Sequence, residues 1–296
     1  EGEFSLRWLR GAQQVWRSDQ PLSVINTEAA PRPAIGKGQL HVLDPGGSVR
    51  DRLAERDIPF TQAADLGDVP ATADVLIVGP DAISKDEALP AEWRELTENG
   101  TKVLMLEQKA PLDPGVLGVD SPRVAGGGQG GGPARPAHPV FRGLTGRDFE
   151  GLPYGVAHPG TTDDLRVLGQ AGRDAVLWEL QTRRSLVMAC HWRVGKDLAG
   201  NPVAKRLFDN MLSYCCDYVP KSLAVALAPG SPRAELLASC GLEYETTDDL
   251  PKALQDGPHN VILAEASADN LRTLAANRKQ VRQLTERLAE VEQRGV

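Results

Sequence analysis

Short apolar runs alternate with amphipathic segments from about Gln39 onward. Leu40-His41-Val42-Leu43 is an apolar run closed by Asp44-Pro45-Gly46-Gly47, which predicts a strand and then a turn. Ser48 stands where it would cap a helix carrying Val49, Leu53 and Ala54. Ile58-Pro59-Phe60 reads as a second strand at a sheet edge, because proline donates no ladder hydrogen bond. Ala73–Pro80 reads, by its β-branched run, as a parallel strand buried on both faces. Trp93 and Leu96 predict a helix over about Pro90–Asn99, stopped by Gly100, and Thr101–Leu106 is the next buried strand. Strands and helices alternating through short connections predict a parallel sheet with helices on both faces.

The pattern then lapses. Residues 125–137 hold two glycine triplets and two prolines, the composition of a flexible surface loop. A phosphate cradle would need a strand before it, a helix after it and a lysine, and the surrounding text supplies none of them. Ala175–Leu180 and Ser185–Cys190 read as paired strands joined through Gln181–Arg184. Asn201 then caps a helix with Pro202 in its first turn, and Val203, Leu207, Met211 and Tyr214 recur at helical spacing. At the other end, Leu6–Trp16 reads as a short amphipathic helix in an arm covering residues 1–38, broken by Pro31 and Pro33.

After Pro220 the order begins again. Leu223–Leu227 is a strand, Ala234–Ser239 a helix, Leu242-Glu243-Tyr244 a short strand and Asn260–Ala264 another strand. This repeats the order found between Leu40 and Gly79 and predicts a partial second α/β unit over 220–296. It closes on a helix, Leu271–Arg294, with a narrow apolar seam of Val281, Leu284, Leu288 and Val291. The second unit lacks a counterpart of Thr101–Leu106. Its sheet edge therefore calls for a partner, either the remainder of a larger polypeptide or a second copy of the chain.

Composition narrows the function. The net charge of −7 and the absence of a basic stripe exclude a nucleic-acid partner, and no apolar run has membrane-spanning length. Aromatic residues make up only 5%, thin for a surface that stacks on sugars. Cys190, Cys215, Cys216 and Cys240 form no CxxC pair, so no metal is expected and all four are read as small buried residues. No motif calls for a cofactor.

Four segments carry a resemblance. They are Lys102-Val103-Leu104-Met105-Leu106-Glu107-Gln108, His138-Pro139-Val140-Phe141-Arg142-Gly143-Leu144, Asp148-Phe149 and the run from Asn201 to Tyr214. Their order and spacing are similar to the glutamine-amidotransferase-like accessory domains of bacterial beta-galactosidase-like and family-two glycoside hydrolase proteins, over about residues 39–219. The resemblance implies a flavodoxin-like, three-layer α/β sandwich, class I amidotransferase-like, over 39–219. It also implies a carbohydrate-active parent whose catalytic carboxylates lie in a separate barrel. Such a parent would be exported.

An active amidotransferase places a cysteine on the turn after its nucleophile strand. Here the turn after Thr101–Leu106 reads Glu107-Gln108-Lys109-Ala110-Pro111, with no Cys or Ser, so a non-catalytic accessory role is the leading expectation. Two rivals stand beside it. Glu107 and Gln108, with His41 and His138, would form a polar pocket for a small molecule or carbohydrate at the strand ends. Alternatively, Cys190-His191 resembles the nucleophile elbow of PfpI-type peptidases, which implies a cysteine hydrolase. It lacks a preceding glycine, and no helix is expected before Pro202. Trp178 and Trp192 would offer stacking rings, although Trp178 alternates within a strand as core residues do.

Overall fold

The computed structural model describes residues 2–282, apart from residues 11–12, 23–24, 34, 37, 84–90, 110–126, 156–157, 160–164, 183, 220–222, 228–231, 240–244, 248–249, 252–260 and 266. The strands are β1 (Gly2–Arg10), β2 (Gln13–Leu22), β3 (Leu40–Leu43), β4 (Thr61–Gln62), β5 (Val75–Val78), β6 (Lys102–Met105), β7 (Gly128–Gln129) and β8 (Gly132–Pro133). They continue with β9 (Pro153–Tyr154), β10 (His158–Pro159), β11 (Arg166–Ala171), β12 (Asp174–Gln181), β13 (Leu186–Cys190), β14 (Leu223–Ala226), β15 (Glu245–Thr246) and β16 (Val261–Ala264). The α-helices are α1 (Ser48–Glu55), α2 (Ala91–Glu98), α3 (Val194–Asp197), α4 (Pro202–Asp217), α5 (Pro232–Ser239) and α6 (Ala268–Ala276).

The main sheet runs β4-β3-β5-β6-β13-β12-β11-β8. The first five strands are parallel, and β12, β11 and β8 extend the sheet antiparallel. Numbered along the chain, the parallel strands lie in the order 2-1-3-4-5, which is flavodoxin-like. Alternation divides the core into two layers. Val75, Ile77, Leu104 and Leu106 face one side with Leu53 of α1 and Leu207, Phe208 and Met211 of α4. Leu76, Val78, Val103 and Met105 face the other with Trp93 and Leu96 of α2. Both faces of the parallel strands are therefore covered, as their continuous apolar text requires.

Several local expectations give way. The described residues within Leu6–Trp16 are not helical. They belong to the antiparallel hairpin β1–β2, in register with Trp8 opposite Trp16. Phe4, Leu6 and Trp8 recur every second residue, and that period is the strand's. Residues 128–133, read as a flexible loop, supply β7 and β8, which pair with β9 and β11. Gly131 has φ +105°, and a Cβ there would overlap the Gln170 carbonyl. The second glycine triplet thus permits close backbone approach at a sheet edge. β11 was not legible beforehand. The edge strand β4 forms just after Pro59 rather than on it.

The chain after Pro220 forms a parallel sheet in the order β15-β14-β16, matching β4-β3-β5. Its short strand is Glu245–Thr246 rather than Leu242–Tyr244, which lies outside the described residues. The final helix is interrupted by a turn at Asn277, and Leu284, Leu288 and Val291 lie outside the described residues.

A buried ion pair joins α1 to α4. Arg52 Nε donates to Asp209 Oδ1 at 3.2 Å, and a second bond runs from Arg52 Nη2 to Asp209 Oδ2. The side chains are 4% and 2% exposed. Arg56 and Arg206 extend the network to the backbone carbonyls of Ala30 and Asn26, which fastens residues 26–30 to the helical layer. Removing one partner strands the other charge in the core, so Asp209→Ala should cost about 3–5 kcal/mol in urea unfolding. A loss below about 1 kcal/mol would mean that solvent reaches the arginines and the pair does little.

Candidate functional site

Parallel α/β sheets present ligands at the carboxyl ends of their strands. Here those ends carry Asp44 after β3, Gly79-Pro80-Asp81 after β5, Glu107-Gln108-Lys109 after β6, and Cys190-His191 at β13. Each of these carboxylates and the Gln108 amide bonds to the protein itself.

Asp44 caps α1. Its Oδ2 accepts the backbone N–H groups of Val49 (2.9 Å) and Arg50 (3.2 Å). Ser48, expected to cap, is instead the first helical residue, and Gly47 stands at the cap position.

Glu107 occupies the elbow position after β6 and is 2% exposed. Its Oε2 accepts from Gly195 N–H at 3.0 Å and its Oε1 from Lys196 N–H at 2.8 Å, both in the first turn of α3. A Cβ at Gly195 would overlap the Pro80 ring, so only glycine lets α3 press this closely onto β5 and β6. Gln108 is satisfied at both ends. Its Nε2 donates to the carbonyls of Gly79 and Leu106, each at 2.8 Å, and its Oε1 accepts from Ile83 N–H at 3.0 Å. Asp81 meets Lys196 at 2.6 Å and Lys109 at 3.8 Å, closing the rim with charge.

Cys190 and His191 do not form a dyad. Cys190 belongs to the core layer that holds α4, and its Sγ lies 3.9 Å from the Trp192 carbonyl. The His191 ring accepts from Trp178 Nε1 at 3.0 Å, on the opposite side of the sheet. Consecutive strand residues point to opposite faces, so this separation follows from β13 itself. Burial raises the Cys190 thiol well above its ordinary range, and the neighbouring Glu107 carboxylate raises it further. A nucleophilic cysteine needs the reverse shift. A short helix does follow, α3 beginning four residues after Cys190, where no helix was expected before Pro202.

The two other candidate histidines, His41 and His138, do not join Glu107. His41 bonds the Gly38 carbonyl at 3.2 Å near the start of β3. His138 begins a one-turn 3-10 helix over Pro139–Phe141, against Tyr214 and Glu179. Trp178 and Trp192 are core residues, 1% and 0% exposed. Cys215 is buried, Cys216 only partly so, which corrects the reading of all four cysteines as buried; Cys240 lies outside the described residues. The described residues contain no group of three or more His, Cys, Asp or Glu arranged to hold a metal.

Sequence reasoning missed the polar group around Glu179. Its signal was one carboxylate in the otherwise apolar run from Ala175 to Leu180. Glu179 is fully buried opposite Arg166, in a Cα pair between β11 and β12.

No protein-family profile matches the chain, and no curated protein matches it. Solved structures do. The chain is similar to a cytoplasmic protein of Salmonella typhimurium LT2, with 12% identity, TM-score 0.41, 71% of this chain covered and 94% of that one. It is similar to a glutamine amidotransferase, with 13% identity, TM-score 0.37, and coverage of 60% of this chain and 99% of that one. A carbohydrate deacetylase, Agd3, matches over 63% of this chain and 34% of its own, at 11% identity and TM-score 0.40. At such identities the strand order, not these likenesses, establishes the fold class.

The Glu107 carboxyl is pushed up from 4.5 to about 7 by burial, against the pull of the Lys196 and Gly195 N–H groups. The native state therefore holds a proton that the unfolded chain releases above its lower, ordinary value. The resulting stability is full in acid and is lost as pH rises through about 7. Urea unfolding of wild type and Glu107→Gln between pH 5 and pH 8 should show the wild-type advantage shrinking with rising pH. An advantage that grows with pH would reverse the assignment.

Proposed function

We propose that this chain is a non-catalytic structural or interaction module with a degenerate amidotransferase-like site, serving a larger carbohydrate-active protein of the glycoside-hydrolase kind. One observation carries the loss of catalysis: a carboxylate stands at the elbow, and both of its oxygens are occupied by the N–H groups of Gly195 and Lys196. A carboxylate used to tie down a helix is not free to attack a carbonyl carbon. Near it, the Cys190 thiol is buried, with its acidity suppressed, and the next residue, His191, turns to Trp178 on the opposite face.

The glycoside-hydrolase association is supported by the resemblance of Lys102–Gln108, His138–Leu144, Asp148-Phe149 and Asn201–Tyr214. The partner that such a role requires is the remainder of a larger polypeptide or a second copy of the chain. A small-molecule site at Glu107 is disfavoured, because Glu107 and Gln108 are buried and each bonds backbone groups of the protein.

Thiol labelling of the full chain with a chromogenic disulfide at pH 8 tests the inactivity. Cys190 and Cys215 should stay unmodified for hours in buffer and react within minutes in denaturant. Glutaminase and aryl-esterase turnover should be absent. Rapid native labelling of Cys190, together with turnover abolished by Cys190→Ser, would instead make the chain a cysteine hydrolase.

A further inference from the structure

A second polar site lies away from the strand tips, between β12 and the C-terminal end of α4. Glu179 Oε1 is satisfied by Arg166 Nη1 at 3.1 Å and Gln181 Nε2 at 2.9 Å. Its other oxygen, Oε2, accepts no hydrogen bond of good geometry. His138 Nε2 faces that oxygen at 3.8 Å, too far for direct bonding. The side chains of His138 and Glu179 are both 0% exposed. The Tyr214 ring packs edge-on against His138, with centroids 4.7 Å apart, and Tyr218 follows at 6.2 Å from Tyr214. The Tyr214 hydroxyl lies near enough to Glu179 to be made less acidic by it, yet completes no well-formed bond, and the Tyr218 hydroxyl has no partner either. Thus Glu179 Oε2 and His138 Nε2 face each other without bonding, and the Tyr214 and Tyr218 hydroxyls, both coupled electrostatically to Glu179, lack a hydrogen bond of good geometry. Buried polar atoms left in this condition cost free energy, and native proteins rarely tolerate four together.

The chemistry of the four atoms selects their ligand. His138 Nδ1 accepts the Val140 N–H at 3.4 Å, so the ring hydrogen sits on Nε2 and this atom donates. Burial, then Arg166 and Arg135, push the histidine down to about 3, so the ring is neutral. Glu179 Oε2 only accepts, and the two phenols can do either. An ammonium ion offers donors alone and leaves His138 unanswered. A carboxylate or phosphate offers acceptors alone and opposes Glu179. A neutral hydroxyl donates to Glu179 while accepting from His138 and a tyrosine.

We propose that Glu179, His138, Tyr214 and Tyr218 form a binding site for one neutral hydroxyl group, supplied by an ordered water or by a polyol. The site is independent of the elbow, and its fate does not decide that reading.

Crystals of the full chain grown without polyol, at a resolution that shows water, give the first test. A single oxygen within hydrogen-bond reach of His138 Nε2 and Glu179 Oε2 is the expected result. Direct contact of His138 with Glu179, with no oxygen between them, overturns the proposal. Titration with xylitol, followed through the His138 Nε2–H resonance, separates the sources. A saturable shift whose affinity falls ~3- to 10-fold in Tyr218→Phe assigns the hydroxyl to a polyol. No shift, with the crystallographic oxygen present, assigns it to water. Tyr218→Phe removes one hydroxyl without stranding a charge, so the test survives if Glu179 variants fail to fold.

Discussion

The fold's candidate active edge depends on one buried carboxylate. Glu107 leaves the end of β6 and binds the first turn of α3, and the surrounding structure adjusts to that bond. Gly195 has no side chain because Pro80 and Leu106 lie where one would stand. Gln108, next in sequence, straps the tip of β5 to β6. Asp81 and Lys196 then close the rim as an ion pair. An interaction of this kind is worth keeping only if both oxygens are satisfied, since an unpaired buried carboxylate would be driven to protonate or unfold its surroundings. The intermediate affinity for protons that results is a balance between burial and two backbone donors.

A second carboxylate, Glu179, is handled differently. One of its oxygens accepts from Arg166 and Gln181, and the other accepts no hydrogen bond of good geometry. Asp209 is a third case, bonded to Arg52 through both oxygens and approached by Arg56. The three differ in what their second oxygen meets: a backbone N–H, an arginine fork, or no donor in good geometry.

The parallel half of the main sheet was legible because each strand is buried on both faces and so reads as an unbroken apolar run. Ala73–Pro80 and Thr101–Leu106 carry that signature within a residue or two of β5 and β6. Asn201 and Pro202 marked α4 for a comparably local reason, and Asn201 Oδ1 does accept from Val203 N–H at 2.9 Å. What failed was decided by distant contacts. The glycines of residues 130–132 look like loop glycines until β11 lies beside them. β1 was misread because a few aromatic and aliphatic residues fit two periods. A carboxylate after the β6 strand was visible as Glu107, but its bond to Gly195, 88 positions later, was not. Glu179 was hidden by its neighbours, since a lone charge in an apolar strand reveals no partners.

Glu107 seals the tip of β6 by holding the first turn of α3. Native-state amide hydrogen exchange at Gly195 and Lys196 tests it most directly, because these N–H groups are the two that Glu107 holds. The account predicts protection approaching that of the β6 and β13 amides, released only by extensive unfolding. Exchange within minutes, at the rate of surface loops, would mean that α3 lifts from the strand tips and leaves Glu107 open to solvent and ligand, contrary to this account.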